Sequence, residues 1–169
     1  AGRYLYGNLT NAEGGDGADG GGNDLLASFN SDGFTLDAGA DSNASGATGV
    51  AWCWKAGGSA SSNSNGSITS SVSANTTAGF SIVAYGGNST AGATVGHGLG
   101  VVPSVVLVKS RSGSYGWGMY HHKNTSAPET DYLSINNTDA TVDDVNFWND
   151  TAPTSTVFSL GGTDAINKT

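Results

Sequence analysis

The sequence predicts an all-β protein, an antiparallel, jelly-roll-like β-sandwich with a place for a donated strand. Three observations predict it. Gly, Ser, Thr and Asn make up 81 of the 169 residues, and these favour turns, polar strand faces and loops over helices. No stretch longer than a turn carries a 3.6-residue apolar period, whereas short apolar alternations recur between Gly and Asn punctuation. Part of the chain is also duplicated, as in proteins assembled from β-modules.

Leu, Ile, Val and Phe total only 30 residues, a thin supply for a core. Disorder is nonetheless a poor reading. Disordered chains usually stay open through charge and hold few aromatics, while this one is 12% charged with four Trp, six Tyr and five Phe. The net charge of −8, with six basic residues scattered singly, gives no cationic track, so neither nucleic acid nor anionic lipid is expected as a partner. No apolar run approaches a membrane-spanning length, and no membrane insertion is expected. Ala1 opens no signal peptide, which makes a mature or excised piece the expectation. The single cysteine, Cys53, has no intrachain partner and, between Trp52 and Trp54, reads as a small buried apolar residue.

The elements follow from the duplication. YLYGNLTNAE, from Tyr4, matches YLSINNTDAT, from Tyr132, 128 residues later. FNSDGFTLDAG, from Phe29, matches APTSTVFSLGG, from Ala152, with GFTL and VFSL 124 residues apart. After the first copy comes GVAWCWKA, read as a strand. Residues 1–58 are then the carboxy-terminal part of one module, 59–78 a Gly/Ser/Asn-rich linker, and 79–169 most of a second module that stops where its own GVAWCWKA-like strand should begin. Within it, GFSIVAY (79–85) reads as a strand with Phe80, Ile82 and Ala84 on the apolar face. SVVLVKS (104–110) reads as a strand buried on both sides. YGWGMYHH reads as a strand with Tyr115, Trp117 and Met119 on one face, and a helical turn fits between Val142 and Trp148.

A missing last strand is expected to leave an open edge on the 79–85 strand, with Phe80, Ile82 and Tyr85 as the acceptor. Each buried backbone group left unpaired costs about 1–3 kcal/mol, so the edge calls for a filler. The candidate is the strand of Val50, Trp52 and Trp54, supplied in cis as a circular permutant or in trans by a second copy; alternatively, the chain is a window on a longer protein. Donation in trans is heterologous and propagates head to tail into a homopolymeric fibre.

DGFTL, VAWCWKAGG, GSITSSVSANTTAGFSIVAY, ATVGHGLGVVPSVVLVKSRS and WNDTAPTSTVFSLG occur in this order along nearly the whole chain. Together they resemble the tandem module of structural and tail-associated proteins of aquatic bacteriophages and environmental fibre proteins. The resemblance implies lectin-like β-sandwiches in series and an extracellular or virion-surface location. It also implies a second copy that continues into a VAWCW-like strand, and it brings no catalytic residues.

Candidate chemistry is sparse. GGDGADGGGNDLL, Gly14 to Leu26, resembles a calcium-binding turn in which Asp16, Asp19 and Asp24 would supply hard oxygens to Ca²⁺, but its spacing is broken and a solvated loop is the plainer reading. Nine Asn-x-Ser/Thr sequons, at Asn8, Asn43, Asn65, Asn75, Asn88, Asn124, Asn136, Asn149 and Asn167, are either glycan acceptors or turn and strand-ladder residues. His121 and His122 are adjacent and face opposite sides of a strand, unsuited to one metal. His97, in GHGLG, reads as a loop hydrogen-bonder. No G-x-S-x-G elbow is present, and no cofactor or enzymatic activity is expected. A rival to the fibre is a carbohydrate- or receptor-binding module, with Tyr115, Trp117 and Tyr120 stacking on surface glycans.

Overall fold

The computed structural model describes residues 3–15, 26–36 and 43–169. The chain is nearly all-β, a set of short antiparallel sheets with sandwich-like packing. Two hairpins come first. β1 (Arg3–Tyr4) pairs with β2 (Gly14–Gly15), and β3 (Leu26–Phe29) with β4 (Phe34–Leu36). After residues 43–60, which are largely exposed, β5 (Ser61–Asn63), β6 (Ser70–Asn75) and β7 (Phe80–Ala84) form an antiparallel sheet in that order. β8 (Ala93–Gly96) pairs with the distant β13 (Val157–Leu160). Between them, β9 (Val105–Val108) and β10 (Gly118–His121) make a hairpin. A bridge from Met119 to Leu133 passes the pairing on to β11 (Asp131–Tyr132), which pairs with β12 (Val142–Asp143).

The β8–β13 pair is the centre of the core. Val95 and Leu160 are fully buried, and Phe158 nearly so. Ile68 reaches this pair through a parallel bridge to Val95, its N–H donating to Thr94 O at 3.0 Å. Gly66 permits that approach, because a Cβ there would collide with the Thr94 carbonyl. Val108, Tyr120, Ala165 and Ile166 complete the cluster, with Val83, Tyr85, Val106 and Tyr132 packed against it.

Two single-turn helices close the core. α1 (Val145–Trp148) starts at Asp144, whose side chain accepts from Asn146 N, and stops at Asn149 in the left-handed region, φ 56°, a conformation Asn tolerates. The turn drives Phe147 and Trp148 inward. Phe147 stacks on Tyr132 with ring centroids 3.6 Å apart, and Trp148 meets Tyr120 edge-on at 6.3 Å. α2 (Asp164–Asn167) is capped by Thr163. Its Asn167 is fully buried, donating to Thr90 O and Gly161 O at 2.9 Å each and accepting from Asn88 N.

The expected linker 59–78 is corrected. It carries β5 and β6, and Ile68 and Val72 are core residues. Its serines sit at strand positions because they find partners there: Ser70 Oγ donates to Gly96 O and Ser73 Oγ to Gly58 O. The 104–110 strand is half-buried rather than buried on both sides, with Val105 and Leu107 outward. The helical turn expected between Val142 and Trp148 is α1, preceded by β12. Asp16, Asp19 and Asp24, the candidate calcium ligands, lie outside the described residues; among those described, no group of three His, Cys, Asp or Glu side chains is placed to hold a metal ion. No helix among the described residues is long and apolar enough to cross a membrane.

Candidate assembly site

β7 is bonded to β6 on one side, in the register Ser71↔Ala84, Val72↔Val83, Ser73↔Ile82, Ala74↔Ser81, Asn75↔Phe80. Its other side pairs with no strand among the described residues. Such an edge presents a row of N–H and C=O groups to whatever strand arrives. The sheet order follows from sequence, since TTAG (76–79) is a tight turn with Gly79 at φ 67° that folds β7 straight back on β6.

The faces of β7 are opposite to expectation. Val83 and Tyr85 turn toward the core, while Ile82 is 57% exposed. Tyr85 decides the matter: its ring meets Phe158 edge-on at 6.2 Å and its hydroxyl donates to Ile166 O at 2.7 Å, so the inward position offers both apolar burial and a hydrogen bond. Burial pushes the Tyr85 hydroxyl well above the usual tyrosine range, which keeps it a donor at every ordinary pH. Of the three expected acceptor residues, Phe80 and Ile82 therefore lie on the outer face, and Tyr85 anchors the strand from within.

Val50 to Lys55, expected as a strand, is not in a sheet. Val50 is 82% and Trp52 77% exposed, and Cys53, expected to be buried, is exposed as well. The reason is position: the arm runs along the β6 flank, where Asn75 Nδ2 donates to Lys55 O and Ser73 Oγ to Gly58 O. Gly57 passes so near Ala74 that a Cβ there would strike its carbonyl. From that side Trp54 crosses the hairpin, stacking on Phe80 at 5.9 Å between centroids. The arm thus lies beside the acceptor hairpin without occupying the β7 edge, and the expected cis pairing is not formed.

One of the three rings of the carbohydrate rival is withdrawn from the surface, and the other two are engaged in hydrogen bonds. Tyr120 is a core residue, 4% exposed. Trp117 is half-buried, its Nε1 donating to Tyr6 O at 2.7 Å, while the Tyr115 hydroxyl donates to Asp164 and accepts from Lys168. Among the sequons, Asn167 is excluded as an acceptor by full burial, and Asn75, Asn124, Asn136 and Asn149 are half-buried; Asn8, Asn43, Asn65 and Asn88 are exposed. His121 and His122 meet edge-to-face at 5.4 Å.

Sequence reasoning does not reveal two contacts that hold the amino-terminal hairpin to the body. Arg111 forms a forked pair with Glu13, at 2.8 to 3.1 Å, while Glu13 N donates to Arg111 O. The other contact is the Trp117–Tyr6 bond. Both link residues about a hundred positions apart, for which a sequence carries no local signal.

No curated protein and no solved structure matches the chain. The arm, the open edge and both copies of the duplicated piece all fall within one family unit: over residues 1–169 the chain matches the family described as a domain of unknown function, DUF7483, and it belongs to that family.

Proposed function

We propose that this domain is a non-enzymatic structural module, jelly-roll-like in plan, that joins copies head to tail into a fibre by β-strand complementation. The arm Val50 to Lys55 of one copy adds to β7 of the next. One observation carries the reading: the outer edge of β7 has no partner strand among the described residues, while an apolar arm with exposed Val50 and Trp52 lies outside any sheet. In strand addition, main-chain hydrogen bonds supply affinity and alternate side chains supply register. Burying one large apolar side chain adds about 1.5–3 kcal/mol. Edge and arm are different surfaces of each copy, so the contact repeats instead of closing on a two-fold axis. The net charge of −8 keeps such a polymer soluble. The resemblance to phage-type modules supports a place outside the cell or on a virion surface.

A peptide spanning Gly49 to Ala56 tests this. Added to the protein during assembly, it should cap β7, shorten filaments seen by electron microscopy and slow hydrogen exchange at Phe80 to Ala84. Filaments of unchanged length, with β7 exchange unaltered by the peptide, would remove the proposal.

A further inference from the structure

Asn65-Gly66 is the one Asn-Gly pair in the sequence, and it lies in the loop between β5 and β6. Asn65 is exposed, and its side-chain amide has no hydrogen-bond partner among the described residues. The main chain on either side is tied down. Asn65 N donates to Asn63 Oδ1 at 2.9 Å, Ser67 N to Thr94 Oγ1 at 3.0 Å and Ile68 N to Thr94 O at 3.0 Å, while Thr94 N donates back to Ser67 Oγ at 2.9 Å. In this run of four residues, the Gly66 N–H alone has no acceptor among the described residues. A backbone nitrogen attacks a carbonyl only after losing its proton, and an acceptor on that proton would hold it in place. Gly66 also lacks the Cβ that would crowd ring closure onto the preceding side chain.

We infer that Asn65 is a self-modification site, converting to aspartate and isoaspartate with water as the only co-reactant, and that the isoaspartate unfastens Ile68 from β8. The Gly66 nitrogen gives its proton to solvent and attacks Cγ of Asn65. The N–Cγ bond forms, the Cγ–Nδ2 bond breaks, and Nδ2 takes a proton from solvent and leaves as ammonia. Water then opens the five-membered imide. Breaking the new N–Cγ bond gives aspartate; breaking the original peptide bond gives isoaspartate, whose main chain runs through Cβ and Cγ. Nothing is oxidised or reduced, and either product carries a carboxylate in place of the amide.

The fold makes the two products unequal. Aspartate adds an exposed charge and leaves the main chain as it was. Isoaspartate lengthens the chain by one carbon–carbon bond, about 1.5 Å, between the anchor of Asn65 N on Asn63 and that of Ser67 N on Thr94. Gly66 cannot take up the slack inward, because even a Cβ there would collide with the Thr94 carbonyl. The displacement falls on the Ser67–Thr94 pair and on Ile68, a core residue held by its N–H to Thr94 O and its bridge to Val95. The inference is independent of strand addition at β7.

The full chain, held at mildly alkaline pH either folded or in urea, tests this by mass-spectrometric mapping, with an isoaspartyl-specific methyltransferase as the probe. Asn65 should convert in the folded chain at a rate comparable with that in urea and accept methyl groups, and Asn65→Gln should accept none there. In the isoaspartyl fraction the Ile68 N–H should exchange about ten-fold faster, the worth of one hydrogen bond. Asn65→Asp, which copies the aspartyl product, should leave that exchange unchanged. Asn65 that stays intact in the folded chain while converting in urea overturns the inference, as does a sugar found on the Asn65 amide. Isoaspartate without faster exchange at Ile68, or equally fast exchange in Asn65→Asp, overturns the unfastening.

Discussion

At the scale of single residues, stability rests on a few buried polar groups whose partners are distant in sequence. Asn167 is the clearest, because its amide satisfies Asn88 N, Thr90 O and Gly161 O at once. With about 1–3 kcal/mol lost for each buried group left unmet, Asn167→Ala should lower stability by roughly 3 kcal/mol or more, read as a shifted urea midpoint with unchanged slope. Buried His97 is held as the neutral tautomer. Its Nδ1 accepts from Leu99 N at 3.2 Å, so Nε2 carries the proton and donates to Thr154 O at 3.1 Å. Burial pushes its pKa below the usual value of 6.5, against a smaller upward pull from the Thr154 bond. A folded value below the unfolded one means that stability present above pH 6.5 is lost as pH falls from there through the folded value and is level below it. The urea midpoint should decline over that window, and His97→Gln should remove the decline. The sequence marks His97 as a loop hydrogen-bonder, but the burial of Asn167 is illegible there, since an Asn-x-Thr on a polar stretch looks the same whether exposed or enclosed.

Among the elements, β7 and the arm carry the functional account. Ile82 faces outward at the edge, so Ile82→Lys should leave the unfolding free energy from urea titration within about 0.5 kcal/mol of the parent while suppressing sedimentable polymer, because a charged side chain on an edge strand opposes pairing. Arg111→Ala removes the forked contact with Glu13 and should loosen the amino-terminal hairpin, read as faster hydrogen exchange at the Glu13 N–H that donates to Arg111 O, with exchange at Phe80 to Ala84 unchanged. Exchange at Glu13 unaltered by the substitution would speak against that tie. The strand 79–85 is legible from alternation, but its inward face is not: Phe80, Ile82 and Ala84 are the more apolar set, and the choice falls to Tyr85 because its hydroxyl reaches Ile166 O. The stretch 59–78 misleads for a related reason. Its Ser, Asn and Gly look like a linker, yet Ser70 and Ser73 are strand residues whose hydroxyls are satisfied by Gly96 O and Gly58 O, and only the fold brings those carbonyls near.

For the whole molecule, the duplication is the most legible feature, because it needs only comparison of the chain with itself. The structure adds that the first hairpin of each copy keeps one register, whereas β4 and β13 differ in partner. The repeated strand is buried in one copy and half-open in the other, and no composition or periodicity argument distinguishes the two. The arm reads as a strand in sequence and lies outside any sheet in this chain; the proposed function gives its apolar alternation a partner in another copy. Mixed-label solid-state NMR decides this most directly, with tryptophan labelled in one population and isoleucine in the other before assembly. The account predicts an intermolecular cross-peak between the Trp52 indole and the Ile82 methyls. Assembled material that shows no cross-peak between the two populations would contradict it.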